Sequence, residues 1–123
     1  MGIRNSEQLV QSQFTTDQNG NPTGGRTTMK VQPGGSHAES AMVVSIHWQD
    51  GVVGDDGQNG AFVEDVIEAA RQRIQFFNSH PQFRCRENSL AITKLEEALQ
   101  WLDWRTRNRL TQGVENSYER HDD

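Results

Sequence analysis

Apolar residues recur at helical spacing in the last third of the chain. Ala91, Ile92, Leu95, Ala98, Leu99 and Leu102 follow the i, i+3, i+4, i+7 pattern of a helix that buries one face. The pattern predicts a helix over residues 84–112, about 29 residues and roughly 43 Å long at the usual rise, with Gly113 as its C-terminal stop. Leu90, Trp101 and Trp104 lie off the main stripe and make a second, looser apolar band. Two bands imply two partners, one within the chain and one outside it. Upstream, Val63, Val66, Ile67, Ala70, Ile74 and Phe77 keep the same period, and Glu64 and Asp65 place negative charge in the first turn, so a helix is predicted over 62–79. Pro81, among Asn78, Ser79 and His80, separates the two, and so short a connection favours an antiparallel αα-hairpin.

The period changes to two further upstream. Met42, Val44, Ile46 and Trp48 alternate with Val43, Ser45, His47 and Gln49, which predicts one strand, and Asp50-Gly51 is a turn signal after which Val52 and Val53 could begin a return strand. Residues 54–60, GDDGQNG, form an acidic glycine-rich loop. Asp55, Asp56 and Asn59 lack the terminal glutamate of an EF-hand loop, so a solvated loop is expected. Residues 13–28, QFTTDQNGNPTGGRTT, are polar and rich in glycine, threonine and asparagine, and are read as a flexible tail or an extended arm that builds no core. Gly24, Gly25 and Arg26 could offer N–H groups and a guanidinium to a phosphate, but their spacing is not that of a Walker loop, and a flexible turn is the plainer reading. The expected fold is α+β: a long antiparallel helical hairpin preceded by a small β-strand segment and an extended polar N-terminal arm. The arm takes residues 1–40 and the strand with the hairpin takes 41–123.

Composition sharpens this picture. The chain is 33% hydrophobic, with most of that after position 40, and an ordered core of about eighty residues usually needs oligomerisation, disulfides or metal to hold it. Cys85 is the single cysteine, so no internal disulfide forms and a reducing cytoplasm is expected. No stretch has the length of a membrane span or the character of a signal peptide, which points to a soluble intracellular protein. A net charge of −5 argues against general affinity for nucleic-acid polymers. Of the twelve basic residues ten are arginine, and five of these, Arg84, Arg86, Arg105, Arg107 and Arg109, flank the long helix. Arginine's planar fork suits phosphate oxygens and stacks on bases, so a small phosphorylated ligand fits better than duplex DNA.

Catalytic patterns are weak. His37, His47, His80 and His121 are scattered without ligand spacing, and no metal site is expected. Cys85 lies between Arg84 and Arg86, surroundings that lower a thiol's pKa, but no partnered histidine is near in sequence, and a half-buried structural cysteine is expected. Glu96 and Glu97 invite comparison with the all-α nucleotide pyrophosphohydrolases, whose paired ExxE and ExxD helices hold magnesium. The i+3 carboxylates are missing, and Glu64, Glu68, Glu96 and Glu97 read as a solvated face.

Two segments carry a resemblance. EDVIEAARQRIQFF at 64–77, with FRCRENSLAITKLEEALQWLDWRTRNRLTQGVE at 83–115, resembles the Thoeris anti-defence family of phage proteins, which shares a hairpin domain with certain anti-CBASS proteins. IHWQDG at 46–51 and NGAFVEDVI at 59–67 are similar to that family too, and the likeness covers roughly the last eighty residues. MKVQPGGSHAES at 29–40 departs from it. The resemblance implies a protein that is not an enzyme and uses no cofactor. It implies a sponge that holds cyclic ADP-ribose-type immune signals intact, chiefly glycocyclic ADP-ribose, in the cytoplasm of the infected bacterial host. Some members also take up cyclic di- or trinucleotides at a separate site, for which Arg26 is the candidate here. The ligand pocket implied by the resemblance comprises Phe77, Asn88, Arg105, Thr106 and Arg109. Their chemistry agrees: Phe77 can stack on adenine or serve as plain core, Asn88 can bond a base or ribose edge, and Arg105 and Arg109 can fork onto a diphosphate. Arg107 points elsewhere on the helix.

Asn88 and Arg105 are roughly 25 Å apart along one helix, farther than one small nucleotide spans. A single pocket using both must be shared between chains, with long helices antiparallel in a two-fold dimer that has two equivalent sites. The Leu90, Trp101 and Trp104 band is then the assembly surface, and the resemblance extends the dimer to a hexamer, a trimer of dimers. A pyrophosphohydrolase-like enzyme and a purely structural oligomeric hairpin are the competing readings.

Overall fold

The computed structural model describes residues 6–31, 42–51, 53–55 and 57–112. They fall into two compact units that divide between Ala61 and Phe62. The elements are α1 (Ser6–Leu9), β1 (Val10–Thr16), β2 (Pro22–Lys30), β3 (Met42–His47), α2 (Val63–Asn78) and α3 (Arg86–Gln112).

The first unit is an antiparallel sheet in the order β1-β2-β3. Its register sets Ser12, Thr27 and Ile46 side by side on one face, and Gln13, Arg26 and His47 on the other. Thr27, 5% exposed, is the buried polar centre: its hydroxyl oxygen lies 2.7 Å from Ser12 Oγ and accepts the Trp48 indole N–H at 2.8 Å. Among the described residues of this unit, Leu9 and Ile46 are the buried apolar ones. β1 joins β2 through a turn closed by Asp17, whose carboxylate accepts the backbone N–H groups of Asn19 and Asn21. The bond from Asn21 contributes most to holding that carboxyl below its ordinary range.

The sheet corrects three expectations. One strand was predicted and three form. The supposed arm supplies two of them, because threonine-rich chain pairs well once its hydroxyls satisfy one another. Gly24 and Gly25 are neither a turn nor a phosphate loop: they run within β2, where a Cβ on Gly25 would stand 2.4 Å from the Gln13 carbonyl oxygen. The partner of β3 is β2 rather than a return strand. Val53 is not in a strand, and Val52, like Gly113 and most of 29–40, lies outside the described residues. The loop at 54–60 is solvated as expected, with Asp55 and Asn59 exposed. Asn59 spends its amide on Asp50, accepting the Asp50 N–H at 2.8 Å and donating to its carbonyl at 3.0 Å, while Trp48 and Ala61 form a parallel bridge.

The second unit is the expected antiparallel hairpin, α2 against α3. Three side-chain contacts mark its seam at intervals of about two turns: Asn78 to Ser89 at 3.1 Å, Arg71 to Glu96 at 3.8 Å, and Arg105 to Glu64 at 3.5 Å. α3 has 27 residues, starting two later than predicted. Ile92, 7% exposed, is the buried apolar residue among those described in this unit, and α2 has none. Arg71 also grips Glu68 through two hydrogen bonds of 2.8 Å. These bonds, helped by Gln72, hold the Glu68 carboxyl down at about 2.

Two tests follow from these contacts. Thr27→Val leaves the Trp48 indole N–H without its acceptor, so urea denaturation should give a loss of about 1–3 kcal/mol, whereas Thr27→Ser keeps the oxygen and most of the stability. A carboxyl depressed in the folded state stabilises it above the unfolded value and loses that contribution as pH falls through the folded one. The Glu68 contribution should therefore fade between its ordinary 4.5 and about 2. Carboxyl NMR titration reads that midpoint directly, and thermal melts of Glu68→Gln should lack this part of the acid dependence.

Candidate functional site

At the closed end of the hairpin, Asn78 ties the helices together. Its amide donates to Ser89 Oγ, its carbonyl oxygen Oδ1 accepts the Cys85 backbone N–H at 3.2 Å, and its backbone carbonyl accepts from Arg84 Nε at 3.1 Å. Cys85 stands just before α3, and its sulfur receives the Asn88 N–H at 3.4 Å, the position of an N-terminal cap. The thiol is exposed, where the sequence suggested a half-buried one.

This turn gathers two of the expected ligand residues around Phe83. The Phe77 ring meets the Phe83 ring edge to face at 5.8 Å, and the Asn88 amide donates to the Phe83 carbonyl at 3.2 Å. Asn88 is thereby oriented by its donor end, leaving Oδ1 as an acceptor. Phe77 is half-buried and is not a core residue: one face lies under the Arg73 guanidinium at 4.5 Å. Phe76 and His80 complete the aromatic group, their rings 4.9 Å apart, with His80 Nδ1 2.8 Å from the Phe76 carbonyl oxygen. That contact to an acceptor requires a proton on Nδ1.

The other three residues lie at the open end, near the start of α2. Arg105, Thr106 and Arg109 are each half-buried. Arg105 reaches Glu64 with Nη2 at 3.5 Å, while its Nε is buried without a hydrogen-bond partner. Arg109 follows one turn later on the same side and enters none of the ion pairs among the described residues. Arg105 thus faces one carboxylate while Arg109, one turn on, adds a second positive charge, and the Arg105 Nε donor is unused. Arg107 is engaged elsewhere, with Asp103 at 2.9 Å, as its place on the helix suggested.

Within one chain the two groups do not meet. Asn88 and Arg105 stand on one continuous α3, about five turns and roughly 25 Å apart. Between them, Trp101 and Trp104 are 71% and 55% exposed and, with Gln100, line a shallow concavity of about 310 Å³. Leu90 is exposed as well. Arg26 belongs to the other unit: it is exposed on the polar face of the sheet, donating to Ser45 Oγ at 3.0 Å, above a hollow of about 190 Å³ lined by Gln11, Gln13 and Thr28.

The carboxylates considered for magnesium are each committed to a cation. Glu64 faces Arg105, Glu68 and Glu96 share Arg71, and Glu97 lies 3.8 Å from Lys94. Among the described residues no three histidine, cysteine or acidic side chains gather as a ligand set. Sequence reasoning overlooked Arg73 and Asn78. The first was legible, since Arg73 and Phe77 are four apart on one helix and therefore neighbours.

Comparison with known proteins agrees with this hairpin. A family model described as "Acb2/Tad1, hairpin domain" matches residues 43–107. A curated relative named "Thoeris anti-defense 1", from Bacillus phage SBSphiJ7, is 45% identical over 81 residues, which make up 66% of this chain and 56% of the relative. The matched region thus spans little more than half of the relative's length.

Proposed function

The chain belongs to the Acb2/Tad1 hairpin family, and from that membership we propose that it is a phage anti-defence sponge that binds a cyclic ADP-ribose-type immune signal, glycocyclic ADP-ribose, and keeps it from its effector without cleaving it. It acts in the cytoplasm of the infected host. The observation that carries the proposal is the pair Arg105 and Arg109: half-buried and one turn apart, with Glu64 against Arg105 only, and with the Arg105 Nε–H buried without an acceptor. A diphosphate supplies the missing acceptors. Charge-assisted hydrogen bonds to it are strengthened where water is excluded.

The base goes to Phe77 and Asn88, and these lie at the opposite end of the hairpin. We take each pocket to be composite, with Phe77 and Asn88 from one chain and Arg105, Thr106 and Arg109 from a second. Antiparallel α3 helices bring these ends together, and the exposed Trp101 and Trp104 supply the apolar surface between copies. Further assembly into a hexamer, and uptake of cyclic di- or trinucleotides at a second site near Arg26, extend the same reading.

The deciding experiment mixes the protein with glycocyclic ADP-ribose, measures free ligand, then heat-denatures the protein and analyses what is released. Depletion followed by recovery of intact ligand is expected. Breakdown products alone would make the protein an enzyme, and no depletion would leave a structural hairpin or a different signal. Arg105→Ala or Arg109→Ala should weaken binding about tenfold or more, since a charged hydrogen bond is worth roughly 1.5–3 kcal/mol, while Arg107→Ala leaves it unchanged. Trp104→Glu puts a carboxylate into the α3–α3 contact. Sedimentation should show a loss of self-association and calorimetry a parallel loss of binding, whereas a monomeric variant that still binds normally rules out the shared pocket.

A further inference from the structure

Arg73 is the one arginine of α2 outside the ion pairs among the described residues, since Arg71 takes both Glu68 and Glu96. Its guanidinium is committed to aromatic faces instead, 4.5 Å from the Phe77 centroid and 5.7 Å from that of Phe76. The face of Phe77 that a base would stack on is therefore already covered by a flat cation. We propose that Arg73 is a further ligand-binding residue, and that it and Phe77 form a slot which opens to sandwich the base. This rests on the reading of the protein as a nucleotide sponge.

The physical case has three parts. Phe77 is held by its neighbours, with the Phe76 and Phe83 rings each 5.8 Å from it and steeply inclined to its plane. Arg73 is exposed, so its long side chain can lift by one ring thickness without disturbing the helix. Lifting exchanges the cation–π contact with Phe77 for two stacked contacts, Phe77 on the base and the guanidinium on the base, since arginine stacks on bases as well as on phenyl rings. The neighbouring Asn88 Oδ1, held in place through the bond from its amide to Phe83, is available to the edge of the stacked base. Selectivity then comes from the shape of the slot as well as from charge, since a phosphate alone gains nothing from being flat.

A purely structural alternative is that Arg73 stabilises α2 through its contact with Phe77. The test separates the two by titrating glycocyclic ADP-ribose into wild type, Arg73→Ala, Arg73→Lys and Arg105→Ala, following both heat and the hypochromism of the adenine absorption band on stacking. Circular dichroism of each variant checks the helices, and Arg73→Lys preserves both charge and helix propensity. The slot predicts about tenfold weaker binding and reduced hypochromism for Arg73→Ala, with no rescue by Arg73→Lys, because the ammonium cannot stack. Arg105→Ala should weaken binding while the ligand that does bind keeps full hypochromism. Full rescue by lysine, or binding by Arg73→Ala within twofold of wild type, overturns the slot while the sponge stands. Wild-type protein that takes up none of the ligand overturns both.

Discussion

Two helices packed side by side cover only one stripe of each other, and α3 carries more apolar surface than α2 can reach. α3 runs about 40 Å at the usual rise, against the 16 residues of α2. The seam uses Asn78, Arg71 and Glu64 on one side and Ser89, Glu96 and Arg105 on the other. With polar groups spaced along the contact, little is left to make a core, and Ile92 is the buried apolar residue that remains among those described. Trp101 and Trp104 stay in water. A hairpin built this way keeps large apolar rings in solvent unless a second chain covers them, so its incompleteness and its proposed pocket have one origin.

The same constraint governs where charge goes. Arg71, placed mid-seam, is matched by Glu68 and Glu96, whereas at the open end Arg105 has Glu64 alone and Arg109 enters none of the ion pairs among the described residues. Matched pairs near a surface contribute modestly to stability. A mismatch beside a buried N–H has a different consequence, because a donor without an acceptor is costly wherever water cannot reach it. In the proposed site an incoming anion relieves that cost by supplying the acceptor.

How much of this was legible in the sequence depended on period. The helices were readable because Val63 to Phe77 and Ala91 to Leu102 repeat at helical spacing over several turns, and the short break at Pro81 determined that they fold back on each other. β3 was readable from the alternation of Met42 to Trp48. β1 and β2 were not, since the side chains that support their pairing are polar: the Thr27 hydroxyl meets both Ser12 and the Trp48 indole across three segments, and no window of sequence contains that relation. The solvated loop at 54–60 was legible from its composition, but the bonds between Asn59 and Asp50 that anchor it were not. Of the expected ligand residues, the separation of Asn88 from Arg105 followed from helical rise alone. The cover that Arg73 places over Phe77 required side-chain geometry.

In the proposed arrangement a ligand bridging Phe77 of one copy and Arg109 of another belongs to neither chain alone, which couples binding to assembly. Whatever binds the assembled form but not the separate chains stabilises assembly by mass action, and linkage makes the coupling reciprocal. A sponge gains from this. Until signal appears, the composite site exists only as far as the Trp101 and Trp104 faces hold the copies together, and each captured molecule tightens that contact. The off-rate is then set by opening an interface between chains as well as by breaking hydrogen bonds. On the proposed reading, retention follows from enclosure between two chains, and it needs no chemical step on the ligand.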